Sequence, residues 1–306
     1  MTTSQSTASP ISAGHSSAEM RSGVVAALLA YCLWGFLPLL FKLLEGVGSV
    51  TIVAERTIWS LFLLGAIVVA SRKLDEVRAV FSDRRKVRVL ALSSLLLALN
   101  WLLYVWAVET GQVLEASFGY FINPLVNVAM GMVLLGERQN LWQSVSIGIA
   151  TVGIGIQALG LGGVPYVALG LALTFGFYGY IRKTAVAGPA TGLFAETLVL
   201  APIGMLYVGY TIATSGLGPH ADPKTMLLMI LTGPATAIPL LLFAFAVRRM
   251  RLTTIGMFQY LAPSIQFVLA IVVFHEELNP LRLLSFALIW LSLAVFTADS
   301  IRRRPA

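Results

Sequence analysis

The chain has 306 residues, of which 58% are hydrophobic and only 11% charged, with a mean hydropathy of +0.85. A soluble domain carries about a quarter charged residues, so the medium around most of this chain must be lipid rather than water. The net charge of +7 does not mark a nucleic-acid partner, because the basic residues sit in short gaps between apolar runs. Cys32 is the sole cysteine, which excludes an intrachain disulfide framework and a Cys-based zinc site. Neither a cofactor nor a metal is expected.

In chain order, residues 1–22 are rich in Ser, Thr, Ala and Gly, lack an apolar run, and read as a disordered cytoplasmic tail. Crossing a bilayer core of ~30 Å takes roughly 20 apolar residues in a helix. Runs of that kind fall near 23–41, 50–70, 88–108, 113–135 and 141–160, then near 164–181, 190–213, 225–247, 253–274 and 280–298. Residues 299–306 read as a basic cytoplasmic tail. The breaks between runs are short, as at Glu45-Gly46-Val47-Gly48, Gly160-Leu161-Gly162-Gly163, Ala187-Gly188-Pro189 and Asn279-Pro280, and none has room for a folded soluble domain.

Lysine and arginine should alternate between loops, with the excess on the cytoplasmic side. With the N-terminus inside, that side receives Arg21, the cluster Arg72 to Arg88, Arg138, Arg182 and Lys183, Arg248 to Arg251, and Arg302 to Arg304. The other side receives only Lys42, Lys224 and Arg282, and Arg56 lies inside a span. A miscounted span would scramble this alternation. An all-α membrane protein of about ten transmembrane helices, with both termini cytoplasmic, is the expectation.

The two halves, 23–160 and 164–298, resemble each other. Gly119 to Glu137 overlays Phe258 to Glu276 at an offset of 139 residues without a gap, matching Pro124 with Pro263 and Glu137 with Glu276. Tyr31, Trp34 and Gly35 fall on Phe175, Tyr178 and Gly179 at an offset of 144, and Lys42 and Glu55 fall on Lys183 and Glu196 at 141. A repeat with five helices, an odd number, must insert its second copy upside down. Inverted repeats are the architecture by which secondary transporters expose a midplane site to each side in turn.

These residues also resemble a known family. Leu114 to Asn127 followed by Leu135-Gly136-Glu137-Arg138, together with Asn100 to Val108, Phe177-Tyr178-Gly179 with Arg182-Lys183, and Gln259-Tyr260 with Pro263, are similar to the EamA family of the drug/metabolite transporter superfamily. The resemblance runs from about residue 21 to 300. It implies two inverted five-helix EamA-type repeats in an inner-membrane permease or exporter. The chain departs from the family pattern in one place: Glu55-Arg56 stands where His-Arg is expected.

The polar positions within spans fall on particular helical faces. Tyr120, Asn123 and Asn127 fall within about 60° of one another on the fourth span, and Gln259 and Gln266 share a face with Pro263 on the ninth. Stripes at equivalent repeat positions predict a common hydrated cavity, with Tyr260 counted beside Gln259. The competing reading is that these amides tie helices together. Asn100, Trp101 and Tyr104 on the third span, Trp34 on the first and Tyr178 on the sixth complete the expected substrate pathway. Their aromatic faces suit planar or apolar solutes and organic cations. Pro124 and Pro263 each free a backbone carbonyl and are read as helix breaks.

Charges inside spans are costly and are normally paired or wetted. Lys42, Glu55, Arg56 and Glu115 lie towards one membrane face, and Arg182, Lys183 and Glu196 towards the other. They are the candidates for gating or proton coupling, and Arg56 is expected to pair with Glu115 or Glu45 on another helix. Glu137 is expected to support a loop or cap a helix terminus near Arg138.

The leading functional reading is a secondary carrier of small metabolites or drugs across the bacterial inner membrane, working by alternating access. Its partners would be a small-molecule substrate and membrane lipid, with a coupling proton, no nucleic acid, and a homodimer as a further expectation. No phosphate-binding Gly-rich loop with Lys-Ser/Thr, His-x-x-x-His pair or Gly-x-Ser-x-Gly elbow occurs, which argues against a nucleotide-driven pump and against an enzyme. A channel or signalling scaffold is the alternative.

Overall fold

The structure, a computed structural model, describes residues 17–110, 112–159, 165–185, 187–273, 275 and 280–302. In order, α1 spans Ser17–Leu43, α2 Ser49–Ala70, α3 Leu74–Ser82, α4 Arg84–Glu109, α5 Val113–Leu135 and α6 Leu141–Ala158. The second half holds α7 Tyr166–Thr184, α8 Pro189–Ser215, α9 Pro223–Val247, α10 Leu252–Gln259, α11 Leu261–Val272 and α12 Pro280–Arg302. Helices apolar on every side cannot sit in water, and Val133, Leu206 and Tyr210 are 79%, 75% and 70% exposed on their outer surface. Taking α10 and α11 as one span, nine helices among the described residues are long and apolar enough to cross a membrane. The nineteen-residue α7 ends in Arg182 and Lys183 and stands outside that set by composition, yet it packs between α4 and α5 and completes about ten.

The helix pairings obey a two-fold exchange of the halves. Contact of α1 with α9 is mirrored by α7 with α4, α5 with α7 by α11 with α1, and α2 with α9 by α8 with α4. The pairs α2–α8, α5–α10 and α6–α12 map onto themselves. At the last of these, the Ser146 hydroxyl donates to the Ser292 carbonyl at 2.7 Å, and the Ser292 hydroxyl donates to the Ser146 carbonyl at 2.7 Å. Both serines are fully buried. Small residues let backbones approach this closely, and the reciprocal bonds are what a symmetric crossing requires.

Local chemistry fixes the helix ends. Gly136 closes α5 in the left-handed conformation (φ 63°), and the side chain of Asn140 opens α6 by accepting from the Gln143 N–H at 2.9 Å. Pro189 and Pro223 occupy the first turns of α8 and α9, where no N–H is needed.

The structure differs from the sequence reading at several boundaries. Helix α1 begins at Ser17, inside the stretch read as tail, and residues 1–16 lie outside the described set. The basic segment read as a loop contains α3, whose Val77 and Val80 are buried against α4 and α8. Helix α12 runs to Arg302, past the expected end at 298. The two prolines are not equivalent. Helix α5 continues through Pro124, whereas the ninth span is interrupted at Tyr260, between α10 and α11, just ahead of Pro263. The Gly160 to Gly163 break and Glu276 fall outside the described residues.

Candidate functional site

A cavity of about 150 Å³ lies among α1, α2, α4, α5, α7, α9 and the α10–α11 break. Its polar lining is Arg56, Asn100, Tyr104, Tyr120, Asn123, Gln259 and Gln266, and its aromatic walls include Tyr31, Trp34, Trp101 and Phe175. Most of these positions lie in the halves of their helices nearest the α1–α2 connection, the end away from the basic loops. The break at Tyr260 is what brings Gln259, at the end of α10, and Gln266, on α11, to one wall. Gly256 permits the approach of α10 to α5, since a Cβ there would stand 2.6 Å from the Pro124 carbonyl oxygen.

Within the cavity the Arg56 guanidinium carbon stands 4.4 Å above the Trp101 ring, and its Nε donates to the Thr236 hydroxyl at 3.1 Å. Asn100 is anchored, donating to the Leu171 carbonyl and the Thr174 hydroxyl, both at 2.9 Å. Gln266 donates to the Trp34 carbonyl at 3.1 Å. Asn123 is 3% exposed and Tyr31 1%, yet Asn123 Oδ1 and the Tyr31 hydroxyl find no partner among the described residues. Unpartnered polar atoms at membrane depth are costly unless water or a solute meets them.

Below the cavity the helices close. Tyr31, Trp34, Phe175 and Tyr178, the two repeat-equivalent aromatic pairs, all meet the fully buried Phe243, with ring centroids 5.4–6.5 Å away. Beneath this layer Arg182 Nη1 bonds Glu196 Oε1 at 3.3 Å, both side chains being 1% exposed. Ser93 donates to the same carboxylate at 2.7 Å, the Tyr178 hydroxyl at 3.4 Å, and Arg182 Nη2 reaches the Pro189 carbonyl at 3.1 Å. Gly192 makes room for this guanidinium, because a Cβ there would meet Arg182 Nη1 at 2.3 Å. Lys183 donates to the Val247 carbonyl at 3.1 Å and to that of Met250. Glu137 accepts from the Leu252 and Thr253 N–H groups at 2.7 and 2.9 Å, capping α10.

At the other end Glu55, 4% exposed, points away from the cavity. It accepts from the Trp59 indole at 2.8 Å and meets His220 Nε2 at 2.8 Å. His220 belongs to the short turn Gly218–Ala221 that precedes α9.

Of the expected pathway, Trp34, Asn100, Trp101, Tyr104, Tyr120, Asn123, Gln259 and Gln266 line the cavity, as does Pro263. Three expected residues do not. Asn127 sits one turn deeper, its amide donating to Gln259 Oε1 at 2.7 Å. Tyr178 belongs to the closed layer. Tyr260, 100° around the helix from Gln259, is buried in a separate cluster with Phe118, Met257 and Phe286. Among the gating candidates, Arg56 turns out to line the cavity, and its partners are Thr236 and Trp101 rather than Glu45, which is exposed. The Glu115 side chain lies outside the described residues, and Lys42 is exposed on the last turn of α1. Sequence reasoning missed Ser93, Thr236 and His220 as partners of the charges, because contacts between distant segments leave no local signal, and it missed Trp59, which stands four residues from Glu55 on the same helix. The apolar walls Leu37, Val53 and Leu240 are equally unmarked in an apolar chain.

Residues 21–158 match the sequence profile of the EamA-like transporter family. Protein RarD of Salmonella typhi is 42% identical over 286 residues, covering 92% of this chain and 97% of that protein. Protein RarD of Escherichia coli is 40% identical, covering 92% and 96%. An uncharacterized transporter of Pseudomonas aeruginosa is 42% identical, covering 94% and 98%. A solved crystal structure at 20% identity superposes with a TM-score of 0.70 over 92% of this chain and 99% of its own, which establishes a shared fold. Identity of this degree along nearly the whole length places the chain in the EamA-like transporter family, among RarD-like members of the drug/metabolite transporter superfamily.

Proposed function

We propose that this membrane transporter is a secondary carrier that exports small metabolites or drugs across the bacterial inner membrane by alternating access, with both termini cytoplasmic. One observation carries the reading. A polar, aromatic-lined cavity occupies one half of an inverted-repeat bundle, while the equivalent half is packed shut by Tyr178, Arg182 and Glu196. Exchange of the two repeats converts one arrangement into the other: Tyr178 would then line an inward cavity and Trp34 would belong to the closed outer half. In that cycle the Arg182–Glu196 pair forms on the closed side and separates on the open side. Substrate would stay in contact with Asn123 and Gln259, which stand near the middle of α5 and of the ninth span.

The chain's polar inventory supports gradient-driven transport, because no nucleotide-binding loop is present to power it. Glu55, Glu196 and Glu115 remain the carboxylates through which a proton could couple. Purified protein in sealed vesicles decides the matter. A carrier gives saturable uptake of radiolabelled small organic solutes and counterflow against unlabelled solute inside. Unsaturable flux without counterflow would make it a channel, and no flux across a broad solute panel would make it a scaffold.

A further inference from the structure

The charge balance of the cavity selects the kind of solute it can hold. Among the described residues lining it, Arg56 is the only charged side chain and none is a carboxylate. The neighbouring Glu55 is committed elsewhere, to Trp59 and His220. Among the described residues the guanidinium donates through Nε to the Thr236 hydroxyl and stacks on Trp101, with Tyr104 and Tyr120 near enough to interact electrostatically, and its two terminal nitrogens make no hydrogen bond to any of these residues. A guanidinium fork with free N–H groups matches a carboxylate in geometry as well as in charge. The Trp101 face that could attract an organic cation is already covered by Arg56.

The neutral polar groups add a second constraint. Asn123 Oδ1 and the Tyr31 hydroxyl are buried on the cavity wall without partners among the described residues. Trp34 and Phe175, at 6.0 Å and 78° to one another, present apolar ring surface close by.

Resting on the carrier reading above, we infer that the substrate is a small planar organic monoanion. Its carboxylate meets the Arg56 fork, its ring lies against Trp34 and Phe175, and a hydroxyl or N–H substituent meets Asn123 and Tyr31. Zwitterions are disfavoured because the described lining offers no carboxylate to an ammonium group, and cations are disfavoured by Arg56 itself.

Full-length protein in lipid nanodiscs at neutral pH tests this with four probes of similar size: benzoate, neutral benzamide, cationic benzylamine and zwitterionic phenylalanine. Calorimetry, with quenching of Trp34 and Trp101 fluorescence, reads the affinities. Benzoate should bind about tenfold to a hundredfold more tightly than benzamide, as expected for a hydrogen bond to a charged partner, and the other two more weakly still. Arg56→Gln should bring benzoate and benzamide to equal affinity, while Arg56→Lys should keep part of the preference. Equal binding of benzoate and benzamide by the unmodified protein, a preference for benzylamine or phenylalanine, or no binding of any probe overturns the inference. Neutralisation of Arg56 by Glu115 would produce the first of these results. Because the preference is measured in the unmodified protein, poor folding of an Arg56 variant cannot rescue the idea. Flux separates the two claims: benzoate binding without transport sinks the carrier reading alone, and transport without anion preference sinks the monoanion alone.

Discussion

Replacing Arg182 by Met should do more than remove a contact. Glu196 would be left 1% exposed with its guanidinium partner gone, and stranding a buried carboxylate costs about 3–5 kcal/mol. The Ser93 hydroxyl at 2.7 Å and the Tyr178 hydroxyl at 3.4 Å would still solvate it, so the lower end, about 3 kcal/mol, applies. The double variant Arg182→Met with Glu196→Leu removes the stranded charge and leaves only those two hydroxyls without an acceptor, about 1 kcal/mol each. The double variant should therefore melt above the Arg182→Met single variant. If the pair exists only while the inner side is closed, the same 3 kcal/mol moves the equilibrium towards inner opening by roughly a hundredfold. A cysteine placed at Met250, 6% exposed at that end, reports this opening in a Cys32→Ser background. Its reaction with an impermeant maleimide in inverted vesicles should accelerate strongly in Arg182→Met and much less in the double variant. Additive stability losses with unchanged labelling would refute the gate and leave Arg182 as static packing.

Asn123→Leu should abolish or strongly reduce flux while leaving the melting temperature near that of the parent, because the Asn123 side chain makes no hydrogen bond to the described residues. Gln259→Leu should reduce flux and also cost about 1–3 kcal/mol, since it strands the buried amide of Asn127; vesicle uptake beside thermal melts checks both. Glu137→Gln should weaken the α10 cap by about 1 kcal/mol and raise amide exchange at Leu252 and Thr253, read by hydrogen–deuterium exchange. A cysteine at Arg84 should react with an impermeant reagent only from the cytoplasmic side; labelling in intact cells would reverse the topology.

The spans were legible because the bilayer imposes a length and a polarity on each of them, and the repeat because Pro124 and Pro263, Glu137 and Glu276 are rare residues for such segments. Most of the cavity's polar lining was legible for a related reason: an amide or tyrosine inside a lipid-facing composition must be aimed at something polar. Counting Tyr260 beside Gln259 went against face geometry: an ideal 100° step turns that ring away from the stripe, into the packing against α5 and α12. Arg56, a charge inside a span, called for a partner in Glu115 or Glu45; Glu45 is exposed, the Glu115 side chain lies outside the described residues, and stacking on Trp101 with a bond to Thr236 meets part of the need. The Ser146–Ser292 exchange at the two-fold crossing was invisible, since two serines in apolar helices carry no pattern until the helices meet.

The central claim is that one cavity is offered to the two membrane faces in turn. A cysteine replacing Leu240, which lines the cavity floor, measures this in the Cys32→Ser protein in sealed membranes of known orientation. Impermeant thiol reagent should modify it when applied from either face, a bulky adduct attached from one face should block modification from the other, and the membrane should stay impermeable to small ions throughout. Modification from one face only, under every solute and potential tried, would contradict alternating access.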